Sequence, residues 1–93
     1  MKLIYFSAVW CPTCKSMYPI VVKEMLRYGI TADSKKFEYV DVDQQMDRAT
    51  YNNICNLPCV QIENDIGDVL ERHTGMMNVA DIRKVCEKVG GKK

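Results

Sequence analysis

The fold is decided near the start of the chain, by the stretch Leu3-Ile4-Tyr5-Phe6-Ser7-Ala8-Val9-Trp10-Cys11-Pro12-Thr13-Cys14-Lys15. Residues 2 to 7 form a nearly continuous apolar run, which is typical of a strand buried on both faces of a sheet. From Cys11 onward, apolar residues recur at a spacing of three and four. The stretch therefore predicts a buried strand that leads directly into a helix, with Cys11 and Cys14 at the start of that helix.

The first helix is predicted to end at Gly29, because glycine readily adopts the left-handed conformation of a helix stop. Pro19 lies inside this helix and predicts a kink, because proline lacks a backbone donor and its ring clashes with the preceding turn. Residues 37–42 alternate between apolar and polar and predict the second strand. Asp43 is then predicted to cap a short helix that runs to about Asn53.

The second half of the chain predicts a hairpin and a final helix. Residues 59–63 and 69–72 flank the turn-rich sequence 64–68, which indicates a β-hairpin. The final helix is predicted to start at Asn78 or Asp81, with an apolar face formed by Val79, Ile82, Cys86 and Val89. The order βαβαββα predicts an α/β fold, a four-stranded mixed sheet with helices on both faces.

The composition is that of an ordinary globular protein. The chain has 93 residues, of which 47% are hydrophobic and 27% charged, so we expect one domain over 1–93 with a frayed tail at 90–93. The net charge of +1 is spread among mixed signs, which argues against nucleic acid as a partner. Neither a signal peptide nor a membrane segment is expected. Five cysteines are an odd count for a secreted disulfide framework, so the expected compartment is the cytoplasm.

Two cysteines at a helix start suit disulfide exchange. The reaction needs an exposed thiolate that attacks, and a second thiol close enough to attack back and release the substrate. The unpaired amides and the positive end of the helix dipole stabilise a thiolate on Cys11, whereas Cys14 lies one turn inward. Pro12 removes one of those amides, so Thr13 and Cys14 must supply the remaining donors.

The motif Trp10-Cys11-Pro12-Thr13-Cys14-Lys15, with Pro19 five residues after the second cysteine, resembles the active-site helix of the thioredoxin family. That family also places a cis-proline before its third sheet segment, matched by Leu57-Pro58, and a glycine after the hairpin, matched by Gly75. The resemblance spans roughly the whole chain and implies the minimal thioredoxin fold. Because the family's usual leading strand and helix are not matched, the chain resembles the short thioredoxins of phages and archaea, which are close to glutaredoxin in size.

The resemblance implies a thiol-disulfide oxidoreductase that reduces protein disulfides through the redox-active pair Cys11 and Cys14, with no other cofactor and no metal. The substrate-binding residues that it implies are Trp10, Pro12, Thr13, Leu57, Pro58 and Gly75. Leu57 would offer backbone hydrogen bonds to an extended substrate segment, in the manner of strand addition. The implied partners are disulfide-containing proteins and, as electron donor, thioredoxin reductase or glutathione. The chain is expected to be a monomer without a membrane partner.

A zinc site is one alternative, because Cys11, Cys14, Cys55 and Cys59 could provide four thiolates. The gap between the two pairs is much longer than in a zinc ribbon, and Pro58 lies inside the second pair. Burial is the simpler expectation for Cys55 and Cys59, as it is for Cys86 on the apolar face of the final helix.

Two further alternatives concern activity. The dipeptide Pro12-Thr13 is closer to the Cys-Pro-Tyr-Cys of glutaredoxins than to Cys-Gly-Pro-Cys, which favours a glutathione-coupled oxidoreductase. The frame of Trp10 and Lys15, and the single Gly75 where glutaredoxins use two glycines, favour a thioredoxin-like enzyme instead. A noncatalytic binding module is the other alternative, since a fold does not fix a function. The presence of both cysteines argues against a purely structural role.

Proton handling is where the chain departs from the resemblance. Thioredoxins usually carry a buried aspartate six residues before the first cysteine, paired with a lysine on the next strand, and here those positions fall on Tyr5 and Tyr39. A tyrosine has a reference pKa of about 10 and is a poor base at neutral pH. Both tyrosines are therefore expected to be core aromatics, and Cys14 to be deprotonated through water or by the Cys11 thiolate.

Overall fold

A computed structural model describes residues 2–51 and 56–88 of the chain. Its elements follow the predicted order βαβαββα, and a short 3-10 turn extends the first helix. They are β1 (Lys2–Ser7), α1 (Pro12–Met25), the 3-10 turn (Leu26–Tyr28), β2 (Phe37–Asp41), α2 (Met46–Tyr51), β3 (Cys59–Glu63), β4 (Val69–Thr74) and α3 (Val79–Lys88). Within the described ranges, no helix has the length and apolar character that a bilayer span requires.

The four strands form one mixed sheet in the order β2-β1-β3-β4. β1 runs parallel to β2, with Tyr5 opposite Tyr39, and antiparallel to β3, with Ile4 opposite Gln61. β3 and β4 form the predicted antiparallel hairpin. The continuous apolar run of β1 thus occupies the interior of the sheet, which confirms the predicted four-stranded mixed sheet.

The larger core lies between one face of the sheet and the helices α1 and α3. β1 contributes Leu3 and Tyr5 to this core, and both are fully buried. The helices contribute the apolar residues Met17, Val21, Met25, Ile82 and Cys86. A buried carboxylate also joins the two helices, because the Arg83 guanidinium donates to Glu24 Oε1 at 2.8 Å.

The opposite face carries a smaller core and the helix α2. Side chains alternate along a strand, so Ile4 and Phe6 of β1 point to this face, where they pack with Val40 and Cys59. Arg48 of α2 donates two hydrogen bonds to the Glu38 carboxylate on β2, and these bonds lower the pKa of Glu38. The helices therefore cover both faces of the sheet, as predicted.

The α-helix α1 stops at Met25, and Gly29 ends the 3-10 turn that extends it. Gly29 has φ +74° and donates to the Leu26 carbonyl, and Ile30 N–H donates to the Met25 carbonyl. These two bonds satisfy carbonyls that the helix end would otherwise leave unpaired. Ile30 is itself buried, so the turn returns the chain to the core. Pro19 lies inside α1, where it cannot donate a helical hydrogen bond.

Asn78, one of the two starts that the sequence allowed, caps α3, which begins at Val79. Its side-chain oxygen accepts the Asp81 N–H at 2.8 Å, and Asp81 accepts the Asn78 N–H in return. This reciprocal pair satisfies two amides at the helix start. The predicted apolar face is wrong at Val79, which is 38% exposed, and Val85 packs against the core instead. Val89 lies outside the described residues.

Several predicted boundaries are wrong by one to three residues. β2 ends at Asp41 rather than at residue 42, because the Asp41 carbonyl and carboxylate accept N–H groups of the following turn. α2 begins at Met46, so Asp43 does not cap it. β4 continues to Thr74, which pairs with Cys59. The predicted end of α2 near Asn53 lies outside the described residues.

Two buried thiols make the stability of the fold sensitive to alkaline pH. Burial raises the pKa of Cys59 and of Cys86 to about 11, whereas an exposed thiol has a pKa of about 8.5. Between these values the unfolded chain loses protons that the folded chain retains. The free energy of unfolding therefore decreases as pH rises from about 9 to 11, by on the order of 2 kcal/mol for each thiol.

We predict that Cys86→Ala reduces this alkaline loss of stability, even though it lowers stability at pH 7 by creating a cavity. Guanidinium unfolding of the oxidised protein at pH 7 to 11 measures the slope. The variant and the wild type differ at one thiol, and Tyr28, whose pKa is raised by burial and then by Cys86, is the tyrosine whose titration changes with it. Parallel stability curves for the two proteins would contradict the prediction.

Candidate active site

Cys11 and Cys14 are joined by a disulfide at the start of α1, with their Cα atoms 5.3 Å apart. Cys11 is the N-cap residue in an extended conformation, and Pro12 occupies the first turn. The Cys14 N–H donates to Cys11 Sγ at 3.2 Å. A helix amide thus points at the Cys11 sulfur, one of the two donors that the sequence predicted.

The two cysteine residues differ only slightly in exposure. Cys14 is fully buried and Cys11 is 7% exposed, so Cys11 is the more accessible of the two, although it is itself buried in the disulfide form. Both pack with Ala8, and with the partly buried side chains of Val42 and Leu57. The first turn of α1 contains no acidic residue, so nothing within it opposes a negative charge on Cys11.

Trp10 lies beside the disulfide and is 64% exposed. Its indole N–H donates to Asp43 Oδ2 at 2.6 Å, across 33 residues of sequence. The backbone of Asp43 is held in turn by a hydrogen bond to the Asp41 carboxylate. Asp43 therefore orients Trp10 instead of capping α2. An indole N–H needs an acceptor, but the sequence does not say which residue provides it.

The loop before β3 reaches the same end of the sheet. The Leu57–Pro58 peptide bond is cis. Gly75, at φ +93°, donates its N–H to the Pro58 carbonyl at 2.8 Å. Leu57 packs against the cysteine pair. The structure thus brings Leu57, Pro58 and Gly75 together beside Cys11 and Cys14, while Pro12 and Thr13 are exposed on the first turn of α1.

Three tyrosines pack behind the cysteine pair. The Tyr5 hydroxyl is buried and donates to the Cys14 carbonyl oxygen at 2.6 Å. Burial, with the neighbouring phenols of Tyr39 and Tyr18, raises the Tyr5 pKa far above its ordinary value. Tyr18 and Tyr39 meet edge to face, with ring centroids 5.3 Å apart. Tyr5 is thus a core aromatic as predicted, but Tyr39 is 41% exposed and is not.

An open pocket of about 400 Å³ lies on this side of α1. Its lining residues are Cys14, Lys15, Tyr18 and Tyr39. None of these four side chains is a carboxylate or an imidazole, the groups that act as bases near neutral pH. The lining of the pocket therefore includes no side chain that acts as a base near neutral pH.

The zinc alternative gains no support from the described residues. Among residues 2–51 and 56–88, no three histidine, cysteine, aspartate or glutamate side chains come together as metal ligands. Cys11 and Cys14 are bonded to each other, and Cys59 is buried in the smaller core. Cys55, the fourth residue of that hypothesis, lies outside the described residues.

Comparisons with known proteins agree with this geometry. The family model "Thioredoxin" matches residues 1–88. A thioredoxin of Staphylococcus epidermidis is 26% identical over 88 residues, which cover 95% of this chain and 81% of that protein. Mitochondrial thioredoxin 3 of Saccharomyces cerevisiae, in its oxidised form, has a TM-score of 0.72 at 25% identity, over 95% of this chain and 74% of that one.

Thioredoxin 1 of Thermosipho africanus shares the fold at lower identity. Its TM-score is 0.78 at 20% identity, with 97% of this chain and 96% of that chain covered. The matched family model spans both cysteines, the tryptophan beside them and the proline loop. The chain therefore belongs to the thioredoxin family, in which the Cys11–Cys14 disulfide makes it a protein disulfide oxidoreductase.

Proposed function

We propose that Cys11 is the attacking thiolate and Cys14 the resolving thiol in the reduction of protein disulfides. The observation that carries the proposal is the hydrogen bond from the Cys14 amide to Cys11 Sγ at the start of α1. In the reduced protein this donor and the helix dipole stabilise negative charge on Cys11, because both favour an anion at a helix N-terminus. Cys14 is fully buried, and burial disfavours a thiolate at that position.

The reaction consists of two exchanges. The Cys11 thiolate attacks one sulfur of the substrate disulfide, whose S–S bond breaks, and the substrate thiolate that leaves takes up a proton. Cys14 then loses its proton and attacks Cys11 Sγ, which releases the second substrate thiol and forms the Cys11–Cys14 disulfide. Two electrons pass to the substrate, and a donor restores the dithiol.

The substrate segment binds in a groove beside the cysteines. The residues proposed to line it are Trp10, Pro12, Thr13, Leu57, Pro58 and Gly75; the packing of Leu57 against the cysteine pair and the hydrogen bond from Gly75 to the Pro58 carbonyl support this proposal. The proposed role of Leu57 is to bind the substrate backbone as a neighbouring strand does. The exposed indole of Trp10, fixed by Asp43, supports its role as the apolar wall of this groove.

The partners follow from the chemistry. The substrates are disulfide-containing proteins, and the electron donor is thioredoxin reductase or, in the second candidate function, glutathione. The Pro12-Thr13 dipeptide favours that second candidate, whereas the family match favours the first. We propose that the chain acts as a monomeric single domain in the cytoplasm, without a further cofactor.

The electron donor is identified by measuring the rate of insulin reduction in two parallel assays. One assay contains NADPH and thioredoxin reductase, and the other contains glutathione and glutathione reductase. Failure with both donors and with dithiothreitol would favour a binding module.

We predict that Cys14→Ser traps mixed disulfides with target proteins, because Cys11 still attacks and nothing resolves the product. Cys11→Ser is expected to trap none and to lose insulin reduction. Non-reducing electrophoresis with mass spectrometry of the linked peptides provides the measurement, and Cys86→Ala serves as a control that retains both reactive cysteines. Retained turnover in Cys11→Ser would show that the roles are assigned wrongly.

We predict a reduction potential above the value of about −270 mV for a Cys-Gly-Pro-Cys thioredoxin and nearer the glutaredoxin range of about −200 to −230 mV. The reason is the glutaredoxin-like dipeptide Pro12-Thr13. Equilibration against glutathione buffers measures the potential. The double variant Pro12→Gly, Thr13→Pro recreates the thioredoxin dipeptide and is expected to lower it. A wild-type value at or below about −270 mV would contradict the prediction.

We propose that solvent, or the thiolate released from the substrate, takes the Cys14 proton. In the mixed disulfide the Cys11 sulfur is bonded to substrate and carries no charge, so it cannot be the acceptor. The Tyr5 hydroxyl donates to the Cys14 carbonyl, and its raised pKa keeps it protonated. The open pocket beside Cys14 supports access of water to this side of the helix.

We predict that Tyr5→Phe leaves the rate of the resolving step within about twofold, while the lost hydrogen bond lowers stability by about 1 kcal/mol. Stopped-flow decay of a preformed mixed disulfide measures that rate from pH 6 to 8, at a temperature chosen for equal stability. Tyr5→Asp is the contrasting variant: it adds a base that accelerates the step, and a buried charge that destabilises the fold. A large loss of resolving rate in Tyr5→Phe would assign the hydroxyl a part in proton transfer.

A further inference from the structure

A methionine sulfur on α1 holds the segment that follows β4. The backbone N–H of Met77 donates to Met17 Sδ, with the nitrogen and sulfur 3.2 Å apart. The two residues are 60 positions apart in the sequence, and both are fully buried. Water therefore does not compete for this amide, and the sulfur supplies its hydrogen bond.

The segment held in this way borders the proposed substrate groove. Its first residue, Gly75, donates its N–H to the Pro58 carbonyl at 2.8 Å. Its last residue, Met77, is anchored on Met17, which lies one helical turn after Cys14. Met76 stands between the two anchors and is 54% exposed. Residues 75–77 are thus held by the packing of the Met77 side chain in the larger core and by two backbone hydrogen bonds at the ends of the segment.

No ladder of strand or helix bonds fixes these residues, because β4 ends at Thr74 and α3 begins at Val79. A thioether is a weak acceptor in water, but a hydrogen bond gains strength in a buried, low-dielectric setting. Removing the acceptor leaves a buried donor unpaired, which is more costly than the bond itself is worth. The segment would then move until the Met77 N–H found another partner.

We propose that Met17 is a positioning residue for protein substrates: through the Met77 amide, its sulfur fixes the wall of the groove at residues 75–77. The inference rests on the substrate groove proposed above. Met17 takes no part in the exchange of sulfurs at Cys11. A small disulfide that does not fill the groove therefore reacts independently of the Met17 sulfur.

Met25 provides a matched control. It lies on the same helix, is equally buried and belongs to the same core cluster, but it does not hold residues 75–77. Replacing either methionine with leucine conserves volume and apolar character. Only Met17→Leu removes the acceptor of the Met77 N–H, so the pair of variants separates positioning from packing.

The experiment compares the reduced wild type, Met17→Leu and Met25→Leu in single-turnover reactions with insulin and with hydroxyethyl disulfide. Met17→Leu is expected to lower the rate constant for insulin by about three- to tenfold and to leave the small disulfide within about twofold. Met25→Leu is expected to leave the ratio of the two rate constants unchanged. An unchanged ratio in Met17→Leu, or an equal change of ratio in Met25→Leu, would overturn the proposal.

Amide hydrogen exchange measures the protection of the Met77 N–H, the donor of the hydrogen bond to Met17 Sδ. The Met77 amide is expected to exchange more slowly than the Met76 amide in the wild type, and faster in Met17→Leu but not in Met25→Leu. If Met17→Leu does not fold, the wild-type measurement decides, because a Met77 amide as unprotected as that of Met76 overturns the proposal.

The variant Trp10→Ala tests the proposed groove independently of the Met17 sulfur. A lowered insulin ratio in Trp10→Ala, without a change in Met17→Leu, retains the groove and overturns the role of Met17. If neither variant lowers the ratio, the groove is overturned and the positioning role with it, while reduction of the small disulfide continues to report the exchange chemistry.

Discussion

The burial of β1 on both of its faces is the constraint on which the rest of the structure depends. A strand with apolar side chains on both faces needs a covering layer on each side, and α1 with α3 supplies one layer while α2 lies on the other. Because the chain passes from this interior strand straight into α1, the helix start lies at the end of the sheet. Cys11 thus combines the support of a rigid core with the unpaired amides of a helix N-terminus.

The groups that surround the cysteine pair come from distant parts of the sequence. Asp43 from the turn after β2 binds Trp10, the Pro58 carbonyl before β3 binds Gly75, and Met17 binds the segment before α3. Each contact is a single hydrogen bond to a group that regular secondary structure leaves unpaired. The cysteines at the centre of the site are therefore held by α1, whereas the residues around them are held by core packing together with a few individual hydrogen bonds.

Secondary-structure elements are predictable from the sequence because their residue patterns repeat along the chain. Side-chain roles that depend on one hydrogen-bond partner far away in the sequence are not. All four strands, the three helices and the mixed sheet follow from periodicity and turn residues, and Gly29 and Asn78 follow from local capping chemistry. The prediction that Asp43 caps α2 is wrong because an aspartate before a helix is usually a cap, and no local pattern shows that an indole 33 residues away competes for its carboxylate. The prediction that Tyr39 is a core aromatic is wrong because alternation in an edge strand gives the face of a side chain but not how deeply it is buried. The sulfur of Met17 has no signature as an acceptor, since a buried methionine on a helix predicts only packing.

In the proposed mechanism, Cys14 is deprotonated without a charged base, and the buried tyrosine behind it gives a physical reason for this arrangement. A carboxylate at the position of Tyr5 would be buried, and an unpaired buried charge costs more stability than a neutral hydroxyl that is hydrogen-bonded to a carbonyl. The kinetic cost of omitting the base is small by comparison. Each unit by which burial raises a thiol pKa lowers the thiolate fraction tenfold at neutral pH, but the more basic thiolate is a better nucleophile, with a Brønsted coefficient of about 0.4–0.5. The net loss is therefore about threefold per unit, a factor that the proximity of Cys14 to Cys11 in one helical turn outweighs by orders of magnitude.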